Sequence, residues 1–247
     1  MIGLFDSGVG GLYALRELRA RCPTADLLYF ADTRNLPYGT REGWELMALG
    51  RRAITRLTSR GASVILSACG TISSVALPML QNEFSLPLYG ILEPTVEACR
   101  AVRGKEILLL GTQATVKAGL LSCMLERACG GSVTTLACPA LVSMAERDVH
   151  GTAAVGEVLA SVCNRRPTAV VLGCTHFSHF AEEIGLLFPH SRIIDSAREA
   201  ARVLAATLPP AVLQGAGRCE LLTSGDEGAF SQAAERILGD HFLMGRF

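Results

Sequence analysis

Two cysteines carry the strongest chemical signal in this sequence, and each follows an apolar run typical of a buried strand. Cys69 follows the run that begins at Val64, and Cys174 follows the run that begins at Ala169. A thiol at the carboxyl end of a strand, just before a helix, lies near the positive end of the helix dipole, which favours the thiolate. We therefore predict that both thiols act as acid and base. Two buried structural cysteines are the alternative interpretation.

A thiolate and a thiol on opposite sides of a small molecule form a two-base pair. One group removes a proton from one face of a carbon, and the other delivers a proton to the opposite face. This exchange inverts a stereocentre without a cofactor. The ordinary thiol pKa of about 8.5 is close enough to neutrality for both protonation states to be reached.

Polar residues at the other strand ends suit a small charged ligand, because ligands of open parallel sheets bind beyond the carboxyl ends of the strands. Asp6 and Ser7 lead into a glycine-rich turn whose amides suit a carboxylate or phosphate. A helix cap is the alternative role for Asp6. The turn lacks the G-x-G-x-x-G spacing, which disfavours a nicotinamide cofactor. Further candidates near strand ends are Asp32, Thr33, Pro37, Tyr38, Gly39, Thr40, Thr71, Thr112, Gln113, Thr115, Glu146, Thr175 and His176.

Pro37 and Tyr38 either shape a pocket wall or form a solvated turn. Glu146 either orients a base, binds an ammonium group or lies in solvent on a helix. His176 is placed to polarise Cys174 or to donate to a substrate oxygen. Cys174, His176 and His179 can also be read as metal ligands, but the sequence offers no obvious fourth ligand and the spacing is unlike that of structural zinc sites. We expect no metal.

Short apolar runs rich in β-branched residues alternate with segments of helical period. This alternation predicts an α/β fold with parallel sheets flanked by helices. The predicted strands are 2–5, 27–30, 64–68, 88–92, 107–110, 133–136, 169–173, 192–195 and 219–223. Predicted helices include 12–21, 42–59, 116–128, 153–163 and 227–238.

The predicted strands repeat along the chain. Cys174 follows Cys69 by 174 − 69 = 105 residues, and the same offset carries four strand starts of the first half to within a residue of strand starts in the second half. This pattern predicts two similar lobes from an internal duplication, one over residues 1–93 and the other over 94–204, with the site in the cleft between them.

Composition excludes several classes of protein. The 23 basic and 23 acidic side chains cancel, which argues against a nucleic-acid-binding face. Nine cysteines, none in a C-x-x-C pair, favour a reducing compartment over a disulfide framework. No apolar run approaches the roughly 20 residues of a membrane-spanning helix, and the N-terminus does not resemble a secretory leader. We expect a cytoplasmic protein with a small-molecule partner and no contact with nucleic acid or membrane.

Taken as a set, these motifs resemble those of the glutamate racemases, in the aspartate/glutamate racemase superfamily. The motifs that carry the resemblance are Asp6-Ser7-Gly8-Val9-Gly10-Gly11, Asp32-Thr33, Pro37-Tyr38-Gly39-Thr40, the Cys69 segment, Gly111-Thr112 with Thr115, Cys138-Pro139 with Glu146, and Gly173-Cys174-Thr175-His176. The resemblance implies cofactor-independent interconversion of L- and D-glutamate, which supplies D-glutamate for peptidoglycan. It also implies a homodimer and a first lobe completed by residues 205–247.

The resemblance also assigns roles to residues. Cys69 would act on D-glutamate with help from Asp6, and Cys174 would act on L-glutamate with His176 and Glu146 nearby. The residues implied to bind substrate are Asp6, Ser7, Pro37, Tyr38, Gly39, Gly70, Thr71, Thr112, Thr115, Thr175 and His176.

One motif departs from the family pattern. The family has Cys-Asn-Thr where this chain has Cys69-Gly70-Thr71. Loss of a buried hydrogen bond to a charged group is worth about 1.5 to 3 kcal/mol. Two alternatives follow: a racemase for aspartate or another acid, and a low-activity protein that serves as an amino-acid-binding module. In the second case, Gly70→Asn should raise turnover.

Overall fold

The computed structural model describes residues 1–102, 105–239 and 242–246. The predicted segments 94–204 and 205–247 therefore include positions outside the described residues, namely 103–104, 240–241 and 247. The strands are β1 (Ile2–Asp6), β2 (Leu27–Ala31), β3 (Val64–Ser67), β4 (Leu88–Tyr89), β5 (Ile107–Gly111), β6 (Val133–Ala137), β7 (Ala169–Leu172), β8 (Arg192–Asp195), β9 (Cys219–Thr223) and β10 (Leu243–Met244).

Helices surround these strands. The α-helices are α1 (Gly11–Arg21), α2 (Gly43–Ser59), α3 (Gly70–Val75), α4 (Leu77–Glu83), α5 (Leu92–Cys99), α6 (Gln113–Ala118), α7 (Leu120–Cys129), α8 (Pro139–Glu146), α9 (Thr152–Val158), α10 (Ala181–Leu187), α11 (Ser196–Thr207), α12 (Pro210–Leu213) and α13 (Glu227–Leu238). Short 3-10 turns occupy Thr33–Asn35, Tyr38–Thr40, Arg100–Val102 and Thr175–Phe180. No described helix has both the length and the apolar character needed to cross a bilayer.

The strands form two parallel sheets, which confirms the predicted α/β class. Their orders are β10-β9-β2-β1-β3-β4 and β6-β5-β7-β8. The inner strands β1, β3, β5 and β7 are buried along their whole length, as expected for parallel strands covered on both faces. Burial on both faces explains why these strands read as continuous apolar runs.

The two sheets repeat one another. The order β2-β1-β3-β4 in the first sheet matches β6-β5-β7-β8 in the second. Ile2 pairs with Val64 in the first sheet, and Ile107 pairs with Ala169 in the second. Each residue of the second pair thus lies 105 residues after its counterpart in the first pair, the same separation as between Cys69 and Cys174. The sequence offset therefore corresponds to equivalent positions in the two sheets.

Several predicted elements differ in extent from the structure. Of the predicted strand 88–92, only Leu88–Tyr89 is a strand in the structure, and α5 begins at Leu92. The predicted helix 116–128 is divided into α6 and α7 at Gly119, whose φ of 66° lies in the left-handed region that favours glycine. In place of the predicted helix 153–163, the structure has the shorter, seven-residue helix α9, which ends at Val158.

A shared apolar core holds the two sheets together. Helix α1 packs against α11, and α5 packs against α7 and α11. One buried cluster contains both Leu4 of β1 and Leu109 of β5. The carboxyl ends of the two sheets are consequently kept at a common cleft.

Asp32, which follows β2, connects the C-terminal segment to one wall of this cleft. The carboxylate is buried and accepts hydrogen bonds from the Tyr38 hydroxyl (2.6 Å), the Ser224 hydroxyl (2.7 Å) and the Arg52 guanidinium (2.8 Å). Ser224 comes directly after β9, which pairs with β2. Because a buried carboxylate needs several donors, Asp32 locks the Tyr38 side chain to the returning chain.

Candidate active site

A cavity of about 250 Å³ lies at the carboxyl ends of the inner strands of both sheets. Cys69, beyond β3, and Cys174, beyond β7, both line it. The full lining consists of Asp6, Ser7, Leu36, Pro37, Tyr38, Gly39, Thr40, Cys69, Thr71, Thr112, Gln113, Pro139, Val142, Ser143, Cys174 and His176. Both sulfur-bearing side chains therefore face one common space.

The strand-end candidates Asp32 and Thr33 do not line this cavity. Neither do four residues to which the resemblance assigns a role, namely Gly70, Thr115, Glu146 and Thr175. Three of them support residues that do: the Thr115 hydroxyl is 2.9 Å from that of Thr112, Glu146 contacts His176, and Thr175 donates to Asp6. Lining residues that were not among the sequence candidates are Leu36, Pro139, Val142 and Ser143. Leu36 adjoins Pro37, and the other three lie in the segment between Cys138 and Glu146. Leu36 is an ordinary apolar residue whose position only the folded turn reveals.

Cys69 lies where β3 passes into α3, as predicted, and its side chain is buried. Burial raises the pKa of Cys69 well above its usual value, and the neighbouring Asp6 carboxylate raises it further. The backbone amides of Ile72 and Thr71 act in the opposite direction without overcoming burial. The start of α3 therefore favours the thiolate, as expected, but burial has the larger effect on the pKa of Cys69.

Asp6 is fully buried beside Cys69, and its two oxygens differ. Oδ2 accepts a hydrogen bond of 2.8 Å from the Gly11 amide and one of 3.4 Å from the Thr175 hydroxyl. Oδ1 has no hydrogen-bond partner among the described residues. Burial raises the pKa of this carboxyl group. Asp6 thus offers one free acceptor in the cavity wall.

Cys174 has a different neighbour from Cys69, a histidine paired with a carboxylate. His176 Nδ1 is 3.8 Å from Cys174 Sγ, and Nε2 is 2.6 Å from Glu146 Oε1. Glu146 also accepts a hydrogen bond of 3.0 Å from the Val9 amide. The segment after Cys174 is a 3-10 turn rather than the α-helix that we expected. The thiol therefore lacks a full helix dipole, and the imidazole is its polar partner.

The His176 and Glu146 side chains form an ion pair behind Cys174. Burial lowers the pKa of His176, but the hydrogen bonds with Cys174 and Glu146 outweigh burial and raise it well above its usual value. Burial raises the pKa of Glu146, and the contact with His176 more than compensates, so that the net shift is downward. Both shifts favour the charged forms.

Hydroxyl groups join the two halves of the cleft. The Thr71 hydroxyl of α3 lies 2.9 Å from the Thr112 hydroxyl beyond β5.

His179, the third residue of the alternative metal-ligand interpretation, does not line the cavity with Cys174 and His176. Its Nδ1 lies 2.8 Å from the Tyr13 hydroxyl. The set Cys174, His176 and His179 is therefore not brought together.

Gly70 lies against the second sheet and does not face the cavity. A Cβ atom at this position would come within 2.2 Å of the Gly173 carbonyl oxygen. Backbone atoms at the end of β7 occupy the space that a side chain at position 70 would need. Contact between Gly70 and the substrate stays a prediction. Glycine at this position permits the close approach of α3 to the Cys174 strand end.

Comparison with known proteins identifies the family of this chain. A sequence profile of the Asp/Glu/Hydantoin racemase family matches residues 16–204, and the chain belongs to this family. The glutamate racemase of Gloeobacter violaceus is 38% identical over 95% of this chain and 91% of its own. The resemblance to glutamate racemases is therefore confirmed.

Solved structures show the same likeness. A glutamate racemase isoform from Bacillus anthracis superimposes with a TM-score of 0.92 at 27% identity, over 100% of this chain and 97% of the other. The Thermus thermophilus glutamate racemase, in complex with β-chloro-D-alanine, gives a TM-score of 0.87 at 34% identity over 100% and 96% of the two chains.

The contact at Gly70 predicts that added side chains will be harmful. We expect Gly70→Ala to lower the free energy of unfolding by about 1 to 3 kcal/mol, because overpacking forces the two backbones apart. Gly70→Asn should reduce catalytic turnover rather than raise it. Chemical denaturation and steady-state kinetics measure the two effects.

Gly43→Ala is the matched control, since Gly43 also begins a helix and its added Cβ would meet only Val75 Cγ1 at 3.7 Å. We expect this control to retain wild-type stability. Faster turnover in Gly70→Asn would contradict our interpretation of the contact.

The ion pair predicts a specific pH dependence of stability. Because the pKa of Glu146 lies below its usual 4.5, its contribution is lost as pH falls through the lowered value. Because the pKa of His176 lies above its usual 6.5, its contribution is complete below 6.5 and is lost as pH rises through the raised value. The pair should therefore stabilise most between pH 4.5 and 6.5.

Glu146→Gln tests this expectation. The variant should lose about 3 kcal/mol of unfolding free energy in that pH interval, as for other broken buried pairs, and less at alkaline pH. Urea denaturation across a pH series measures the difference. Glu157→Gln, at an exposed glutamate of α9, is the control. A loss that does not change with pH would refute the ion pair.

Proposed function

We propose that this protein interconverts L- and D-glutamate by a two-base proton transfer at Cα that requires no cofactor. The observation that carries the proposal is the presence of Cys69 and Cys174, at equivalent ends of the two repeated sheets, in the lining of one small cavity. Membership of the racemase family and the likeness to glutamate racemases support the same reaction.

The reaction needs one deprotonated and one protonated thiol. With L-glutamate, the Cys174 thiolate removes the Cα proton, and the Cys69 thiol delivers its proton to the opposite face of the carbanion. With D-glutamate the two groups exchange roles. One proton leaves and one proton enters in either direction, so the net charge of the site is unchanged by a complete turnover. Each acid or base group contributes typically about 10² to 10⁴ in rate.

The two thiols have different supporting groups. In our proposal His176, held by Glu146, supports the thiolate form of Cys174, because a cation close to a thiol favours its ionisation. Cys69 has the Asp6 carboxyl group instead. The unpartnered Asp6 Oδ1 would accept a hydrogen bond from the substrate ammonium group. That positive charge would offset the effect of Asp6 on the Cys69 thiol.

The cavity wall suits the remaining groups of an acidic amino acid. Ser7, Thr71 and Thr112 present hydroxyl groups, and none of the described lining residues is a lysine or an arginine. We propose that the carboxylates of the substrate are held by these hydroxyls and by backbone amides. A volume of about 250 Å³ is below the usual range of about 300 to 1,000 Å³ for drug-sized ligands. The cavity therefore suits a substrate smaller than a drug-sized ligand.

The wider organisation belongs to the same proposal. Residues 1–93 with 205–247 would form one lobe, and 94–204 the other; the pairing of β9 with β2 supports the return of the chain to the first lobe. We further propose a homodimer that acts in the cytoplasm and supplies D-glutamate for peptidoglycan.

Exchange of the Cα proton tests the reaction directly. L-glutamate incubated with the protein in heavy water should gain deuterium at Cα and yield the D-isomer, as followed by mass spectrometry and polarimetry. Cys69→Ser and Cys174→Ser should each lower racemisation by at least about 10², because a hydroxyl is a much weaker acid and base than a thiol. Cys163→Ser, at an exposed cysteine, is the control and should keep the wild-type rate.

Retention of most of the rate in either cavity variant would exclude the two-base assignment. If the wild-type protein binds glutamate tightly and exchanges no proton, it is a binding module. If aspartate exchanges faster than glutamate in the same assay, the substrate is aspartate. Each outcome distinguishes one of the alternatives from racemisation of glutamate.

Elimination of chloride from β-chloroalanine can distinguish the roles of the two thiols. A β-chloroalanine enantiomer loses its Cα proton to one thiolate and expels chloride, so one base is sufficient. Cys69→Ser should still eliminate from the L-enantiomer and lose the reaction with the D-enantiomer, and Cys174→Ser should show the opposite preference. Chloride and pyruvate release measure this outcome. Equal loss with both enantiomers would overturn the stereochemical assignment.

A further inference from the structure

A cluster of two histidines and an aspartate lies outside the cavity, between the segment after α8 and the turn after Cys174. Asp148, His150 and His179 each offer one ligand atom, and these atoms lie within 4.8 Å of one another. The His150 and His179 rings stack, with centroids 4.0 Å apart. None of the three side chains contributes to the cavity lining.

Both imidazoles direct the same nitrogen at the same oxygen. Asp148 Oδ1 is 3.5 Å from His150 Nε2 and 4.0 Å from His179 Nε2. The opposite nitrogens have other partners: His150 Nδ1 lies 3.4 Å from Glu183 Oε1, and His179 Nδ1 lies 2.8 Å from the Tyr13 hydroxyl. The carboxylate of Glu183 can accept a hydrogen bond from Nδ1 of His150, and in that tautomer the Nε2 lone pair is available to a metal.

His179 provides a second, independent observation. Its side chain is only 5% exposed, and Nε2 is buried without a hydrogen-bond partner among the described residues. An unsatisfied buried ring nitrogen is costly. A ligand that accepts its lone pair would remove this cost, provided that Nδ1 donates to the Tyr13 oxygen.

We propose that Asp148, His150 and His179 form a binding site for a divalent transition metal of the zinc class. Neutral imidazole nitrogens and a carboxylate oxygen are the ligands that such ions use, and three protein ligands leave one position for water. The outer partners also fit, because metal-bound histidines almost always donate their second ring N–H to a carboxylate or another oxygen. Glu183 and Tyr13 are those partners here.

Asp148 keeps one carboxylate oxygen available for the metal although it forms an ion pair with Arg236 of α13. Arg236 Nε contacts Oδ2 at 3.1 Å, whereas both imidazoles approach Oδ1. The guanidinium therefore neutralises and orients the carboxylate without occupying the ligand atom. The Asp148 Oδ1 atom and the two Nε2 atoms are now at the distances of side chains in contact with one another. The two rings and the carboxylate would therefore have to shift slightly to coordinate a metal.

The site would tie together two segments that carry active-site residues. His179 belongs to the same 3-10 turn as His176, and Asp148 lies two residues after Glu146. A metal at this position would cross-link the supports of the ion pair behind Cys174 from outside the cavity. We therefore expect metal binding to raise the melting temperature of the whole protein.

Zinc and cobalt titrations of the full chain test the proposal. Isothermal titration calorimetry gives the Zn²⁺ affinity, and the visible spectrum of bound Co²⁺ distinguishes nitrogen and oxygen ligands from thiolates. Asp148→Asn and His150→Gln should each weaken Zn²⁺ binding by about 100-fold, and Tyr13→Phe by about 10-fold, in line with the effect of lost outer partners. Asparagine tolerates the backbone at position 148, where φ is 56°.

Two variants act as controls. Glu157→Gln removes an exposed carboxylate outside the site, and Cys163→Ser removes an exposed thiol; both should bind Zn²⁺ as the wild type does. Because Asp148 and His150 are exposed, their substitution leaves the core intact, which circular dichroism checks. Equal affinity in the wild type, Asp148→Asn and His150→Gln, an absence of binding, or a cobalt spectrum dominated by thiolate would each overturn the proposal.

Discussion

The close contact between the N-terminus of α3 and the end of β7 is the constraint on which the site depends. Gly70 lies so near the Gly173 carbonyl that only a hydrogen atom fits at its side-chain position. Each of these glycines adjoins a cavity cysteine, Cys69 or Cys174. The spacing of the two thiols across the cavity is therefore set by backbone packing, which is far stiffer than the contact of two flexible side chains.

The electrostatic arrangement around the thiols is asymmetric although the sheets repeat. Cys69 lies beside the buried Asp6 carboxyl group, whose charge disfavours a second anion. Cys174 lies beside His176, which Glu146 keeps in its charged form. Burial and the Asp6 charge therefore favour the protonated form of Cys69. The two thiols of the proposed two-base transfer thus have different electrostatic supports, Asp6 on one side and the His176–Glu146 pair on the other.

The parts of the site that were predictable are those with local signals. Cys69 and Cys174 were found because each follows an apolar run, and Tyr38 and Thr112 because they belong to short motifs near strand ends. The packing of Gly70 was not predictable, because nothing in a linear sequence indicates that a backbone carbonyl 103 residues later lies against it. Glu146 was correctly associated with His176, but its position behind the ring, outside the cavity, depends on the packing of α8.

The amino-acid sequence alone determined the α/β class, the repeat of 105 residues and the identity of the paired thiols, because strand burial and strand-end chemistry are local and periodic. Only the tertiary structure decided which groups touch. The return of β9 to β2, the Asp32 contact with Tyr38, the Gly70 approach to Gly173 and the convergence of His150 and His179 on Asp148 all join distant segments or depend on side-chain direction. Such contacts arise from the shared core of the two sheets, whose geometry no local pattern specifies.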